Sequence, residues 1–178
     1  MIFRFLLVLT LLACGCGCSP FQSHSWSPGQ PGLHLVESVP FRAQESRDDC
    51  GPAALASLLD HRGRHLSVAE VTRVVYTPAL GGTLLPDLEN FARSQGFSTR
   101  SGRGDLALLR RQIDAGRPVL IPVETGIWVA TRPHYLVVFG YGEQGFLAHA
   151  GTLKGVFVAS DDLLDRWEKM NRLYLYLE

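Results

Sequence analysis

Cys50 is the one cysteine outside the extreme N-terminus, and the residue types around it suit a nucleophile. The stretch runs Gln44-Glu45-Ser46-Arg47-Asp48-Asp49-Cys50-Gly51-Pro52-Ala53-Ala54. Gly51 and Pro52 make a sharp entry into a helix, because proline fits the first turn, where its missing N–H would have no partner. Residues 53–61 are mostly good helix formers, with Ala54, Leu55, Leu58 and Leu59 as one apolar face, and Gly63 closes the helix. Cys50 is therefore expected at a helix N-terminus, where exposed N–H groups and the positive dipole end favour a thiolate. Gln44, six residues upstream, is placed to fold back as a hydrogen-bond donor, half of an oxyanion hole. A free cysteine is otherwise a small buried hydrophobe, and the position at a helix start argues for chemistry instead.

A cysteine nucleophile needs an imidazole within hydrogen-bond reach, and six histidines compete for that place. His24 falls in a Ser/Pro/Gly-rich stretch and His34 at the edge of the domain. His61 and His65 flank Gly63 at the far end of the Cys50 helix. At ~1.5 Å rise per residue His61 lies about 16 Å from the thiol, too far to serve. His134 and His149 remain. His134 opens the most apolar strand of the chain, directly after Arg132-Pro133, where a loop delivers a side chain to a site rather than to a core.

The elements that must position these residues follow from periodicity and punctuation. Ser67-Val68-Ala69-Glu70 has capping-box spacing, and Val68, Val71, Val74 and Val75 give the second helix its apolar face. A third helix spans about residues 84–95, residues 97–101 suit a short strand, and Asp105 caps a fourth helix stopped by Gly116. Residues 33–41 alternate loosely and read as an edge strand. Residues 118–123, 135–141, 145–150, 155–159 and 172–177 read as strands at hairpin spacing, with a short helix capped by Ser160 or Asp161 and ending near Trp167. Helices first and an antiparallel sheet second is an α+β layout. The groove is expected where the Cys50 helix meets the sheet, with residues 125–133, Trp128 among them, as part of its wall.

Among 178 residues, seventeen basic balance seventeen acidic side chains, which leaves no electrostatic case for nucleic acid. No P-loop, dinucleotide fingerprint or paired CxxC spacing occurs, so neither ATP, another cofactor nor a metal is expected. Residues 1–13 read as an export signal, with Arg4 before an apolar run too short to span a bilayer. Leu11-Leu12-Ala13-Cys14 resembles the bacterial lipobox, which makes Cys14 the candidate for acylation and the membrane a partner through a lipid anchor. Cys16 and Cys18 are poorer fits, and a plain secreted protein is the alternative. Gly15 after Cys14 points to the periplasmic face of an outer membrane in a Gram-negative cell. Residues 14–33 then read as a lipid-bearing flexible tether and residues 34–178 as the catalytic domain.

Val39-Pro40, Gln44, the run from Asp49 to Ala54 and the later Pro133-His134-Tyr135-Leu136-Val137-Val138-Phe139-Gly140-Tyr141 resemble the bacteriocin-processing cysteine peptidases, a family papain-like in fold. The likeness covers about residues 39–167. It implies a peptide substrate, Cys50 as nucleophile, His134 as general base and acid, and Gln44 with the Cys50 backbone N–H as the oxyanion hole. Members that process double-glycine leaders carry membrane spans and an ATPase domain, whereas this sequence resembles the stand-alone exported members. The family's orienting aspartate should fall near Ala150, where the residues are Leu147-Ala148-His149-Ala150-Gly151-Thr152. His149 is one position off, which reverses its face in a regular strand. Either a bulge restores its direction and it orients His134, or it is an ordinary strand residue. A working Cys–His dyad follows if the thiolate–imidazolium pair forms before attack. The competing functions are a papain-like amidase or transferase on cell-wall peptides and a catalytically retired peptide-binding module.

Overall fold

The computed structural model describes residues 22–23, 31–127 and 130–178. The apolar N-terminal run, Cys14, Cys16, Cys18, His24, Trp26 and Trp128 lie outside the described residues.

In chain order the elements are β1 (Gln22–Ser23), β2 (His34–Leu35), α1 (Cys50–His61), α2 (Val68–Val75), α3 (Leu85–Ser94), β3 (Thr99–Arg103) and α4 (Leu106–Asp114). They continue with β4 (Val119–Ile127), β5 (Ala130–Tyr141), β6 (Gly145–Ala150), β7 (Leu153–Ala159), α5 (Ser160–Glu168) and β8 (Leu173–Leu177). One antiparallel sheet has the order β1-β7-β6-β5-β4-β8-β3. β4 follows β5 only as far as Val138, and β2 takes over the edge beyond it, pairing Leu35 with Gly140 and His34 with Tyr141. The architecture is α+β, as the order of helical and alternating segments implies.

α1 departs from the expected amphipathic pattern. Every residue from Gly51 to Leu59 is buried, because α2 and α3 cover one side and strands β4, β5 and β6 the other. Its alanines and Ser57 allow that close approach from all directions. A helix buried all round holds its first residue rigidly. Gly51 also has a different reason from the turn expected of it. A Cβ there would sit 3.1 Å from the Tyr135 ring and 3.4 Å from Leu88, so glycine lets the ring pass beneath the nucleophile.

α2 starts where the capping box places it: the Ser67 hydroxyl accepts from the Glu70 N–H at 3.2 Å, and the Ser67 N–H donates to Glu70 Oε2 at 2.8 Å. Two expectations fail. Gln22–Ser23, inside the expected tether, is strand β1, in register with Phe157 and Val156 of β7. The edge strand read over residues 33–41 is reduced to β2, because only Leu35, His34 and the Val36 N–H, which donates to Phe139 O at 2.8 Å, find ladder partners.

Candidate active site

Residues 39–49 form neither helix nor strand, so side chains shape this approach to the nucleophile. Asp49 does most of it. Its carboxylate is buried, and Oδ2 accepts from the backbone N–H groups of Glu45 at 3.2 Å and Ser46 at 3.0 Å. It caps no helix N–H, so α1's first amides stay turned toward the site. The turn it closes presents Ser46 O to Gln44, whose Nε2 donates to it at 2.9 Å. The opposite amide orientation would set two oxygens against each other. On its other side the Gln44 N–H donates to Gly151 O at 3.1 Å.

Gly151 follows β6 with φ of 60°. A Cβ on it would lie 2.5 Å from Gln44 Oε1 and 3.0 Å from His134 Cε1, so the two side chains flank the glycine and use the space a larger residue would fill. Cys50 lines a small recess with Gly151 and Tyr135. On the outer side it faces a cleft of about 510 Å³ walled by Arg47 and Asp48, by the loop from Leu80 to Leu84, and by Arg132 and Pro133. The Tyr135 hydroxyl donates to Thr83 O at 3.0 Å and fastens that loop to β5. Gln44 and His134 thus meet at Gly151, which shares a recess with Cys50 where α1 packs on β5.

The electrostatics oppose a preformed ion pair. Burial pushes the Cys50 thiol up, and the backbone amides of Tyr135 and Gly51 at the sulfur offset this only in part, with Asp49 adding to the rise. Burial takes His134 down to about 4. Both shifts favour the neutral forms of thiol and imidazole, against the thiolate–imidazolium pair expected from the helix start. Desolvation outweighs the helix end here.

His149 is not brought to His134 by either ring nitrogen. Gly155 N–H donates to Nδ1 at 3.1 Å, which leaves the proton on Nε2, 3.2 Å from Val39 O. The ring is 5% exposed, with its centroid 4.4 Å from that of Phe139. A bulge does lie here, between Ala148 and Ala150 in the β6–β7 ladder, but it aims Gly155 at the imidazole rather than the imidazole at the site. His149 pairs with Val137, and Ala150 pairs with Leu136. Alternation along β5 puts His134 in register with Leu136, so Ala150 occupies the matching position and His149 the opposite face. Of the other described histidines, His34 stacks on Tyr141, His65 bonds Asp60, and His61 ends α1 at the far side from Cys50. Among the described residues no group of three or more His, Cys, Asp or Glu could hold a metal, and no helix is long and apolar enough to cross a membrane.

Asp49, Tyr135 and Gly151 are the site residues that spacing did not single out. Asp49 could be read as a helix cap and Gly151 as a turn; only the fold shows what each approaches.

Comparison with known proteins bears on the family and the fold. The pattern of the peptidase C39 family matches residues 38–173. The mesentericin-Y105 transport/processing ATP-binding protein MesD of Leuconostoc mesenteroides is 32% identical over 113 residues, 63% of this chain but 15% of its own length. The chain therefore spans a small part of that relative. The peptidase domain of Streptococcus ComA, a bi-functional ABC transporter involved in quorum sensing, superposes with a TM-score of 0.65 at 26% identity, covering 78% of this chain and 98% of that domain. A double glycine motif protease from an AMS/PCAT transporter, solved with its leader peptide, shares the fold at TM-score 0.64 and 16% identity, over 78% of this chain and 91% of that one.

Proposed function

The chain belongs to the peptidase C39 family, a cysteine-type peptidase, and from that premise we propose that it cleaves peptide bonds through a thioester on Cys50, with His134 moving the protons and Gln44 stabilising the oxyanion. The observation that carries this reading is the convergence of Gln44 and His134 on Gly151 beside a Cys50 that faces an open cleft. In the first step the sulfur attacks the scissile carbonyl carbon while neutral His134 takes the thiol proton. The carbonyl oxygen becomes an oxyanion held by the Cys50 N–H and by the Gln44 Nε2 hydrogen not used on Ser46 O. The C–N bond then breaks and His134 returns the proton to the departing amine. Water attacks the thioester, gives its proton to His134, and the carboxylic acid leaves as the thiol re-forms. A neutral resting pair suits this order, because charge develops only once a peptide has displaced water from the cleft.

The substrate is an extended peptide entering between Arg47 and the Leu80–Leu84 loop, a reading supported by the open cleft there and by the leader peptide solved with the double glycine motif protease. Digestion of a peptide library that includes double-glycine junctions, followed by mass spectrometry, tests the reading. The wild type releases new termini and Cys50→Ala releases none; identical product sets from both proteins would overturn it. Acylation at Cys14 and display at the periplasmic face of the outer membrane are part of the proposal, supported by Arg4, the apolar run and Leu11-Leu12-Ala13-Cys14. Palmitate incorporation in cells should disappear in Cys14→Ser, and labelling that persists would refute the anchor.

A further inference from the structure

Resting on the assignment of Gln44 to the oxyanion, we infer that Arg42 is a positioning residue, held by Ser57 and Asp60 of α1, that sets the Gln44 carboxamide against the nucleophile. The segment that carries Gln44 has no secondary structure of its own, so its place depends on a few ties. The Arg42 N–H donates to Ser57 Oγ at 3.1 Å, and the Ser57 hydroxyl is itself fixed by donating to Ala53 O at 3.1 Å. The Arg42 guanidinium bonds Asp60 Oδ2, and His65 Nδ1 engages the other carboxylate oxygen. Asp60's side chain is only 7% exposed, whereas Arg42's is 40% exposed. Ser57 is 1% exposed.

The spacing along α1 gives these ties a purpose. Cys50, Ala53, Ser57 and Asp60 recur three and four residues apart, so they share one stripe of the helix. The stripe begins with the nucleophile and continues, about 10 Å on, with the anchor of the segment that bears the second oxyanion donor. Two residues after Arg42, Gln44 N–H is tied to Gly151 O. Donor and sulfur are thus referred to the same rigid rod, in addition to the turn that presents Ser46 O to the Gln44 carboxamide.

Two reactions of Cys50 separate positioning from general damage. Acylation by p-nitrophenyl acetate passes through an oxyanion, whereas alkylation by iodoacetamide does not. Each rate is corrected with Cys50→Ala, which removes the contribution of Cys14, Cys16 and Cys18. Gln44→Ala should slow acylation about 100-fold and leave alkylation within about twofold. Arg42→Ala and Ser57→Ala should each slow acylation about 10-fold or more, again with alkylation unchanged, and Arg42→Lys should recover part of the loss. In a Gln44→Ala background neither change should cost more. If Gln44→Ala leaves acylation unaltered, the oxyanion assignment falls and this inference falls with it. If Gln44→Ala slows acylation but Arg42→Ala and Ser57→Ala slow both reactions equally, or add their full cost to Gln44→Ala, the oxyanion assignment stands and the inference alone is overturned.

Discussion

Gly151 is the residue whose side chain matters by being absent. Its φ of 60° costs other residue types about 1–2 kcal/mol, and a methyl group there would meet Gln44 Oε1 and His134. Gly151→Ala should therefore lower stability by about that amount and slow ester acylation about 10-fold or more. Chemical denaturation and the acylation rate measure the two separately, and an unchanged rate would show that Gln44 and His134 do not use that space. Protonation is the other property settled at this scale. With the Cys50 thiol raised by burial and His134 taken down to about 4, alkylation of the free protein should climb through neutral pH and still be climbing at pH 9. A plateau below pH 7 would instead reveal an ion pair. The places of Cys50, Gln44 and His134 in the fold were legible because a helix start, a fixed spacing and the head of an apolar strand are local signals. The upward shift of the thiol and the downward shift of His134 were not, since they arise from burial of two groups distant in sequence, which opposes the helix end.

Elements were legible where their boundaries are written in side chains. Ser67 and Glu70 mark the start of α2, and Asp105 marks that of α4 by accepting from Leu108 N–H at 2.6 Å. Strand lengths depend on partners instead. β4 and β5 run past their apolar stretches because each supplies the other's ladder from Val119–Val138 out to Ile127–Ala130, whereas β2 stops after two residues. β1 carries no pattern of its own and exists through β7. The bulge at His149 belongs to the same class, an event of pairing rather than of composition. Its imidazole holds Val39 and Gly155 together, so His149→Ala should cost about 2–4 kcal/mol while ester acylation stays within about twofold. Slower acylation at undiminished stability would return His149 to an orienting role.

For the molecule as a whole, the two buried imidazoles tie stability to pH. His134 falls from 6.5 to about 4 on folding, and His149 is lowered by burial, with Lys154 acting the same way against a weaker opposing bond to Val39. Between those values the unfolded chain binds more protons than the folded one, so stability rises with pH through that window. The contribution is complete above pH 6.5 and is lost as pH falls toward 4, with His134 accounting for up to about 3 kcal/mol. Urea midpoints should drop between pH 7 and pH 5, and less so in His134→Gln; a midpoint independent of pH would contradict buried neutral histidines. The α+β class was legible at this scale from the change of period near residue 118. The all-round burial of α1 was not, since its modest apolar stripe gave no sign that sheet and helices would close over it together.

Tyr135 touches three parties at once: its ring lies under Gly51, its amide meets the Cys50 sulfur, and its phenol grips Thr83. Foundation and far bank of the cleft are thus cast in a single piece. The aperture cannot be widened at its base without loosening the ground on which the sulfur stands. Freedom to change diet lies instead at the tips of the bank, where Leu80 and Leu84 stand in solvent and can be exchanged while the chemistry below keeps its dimensions.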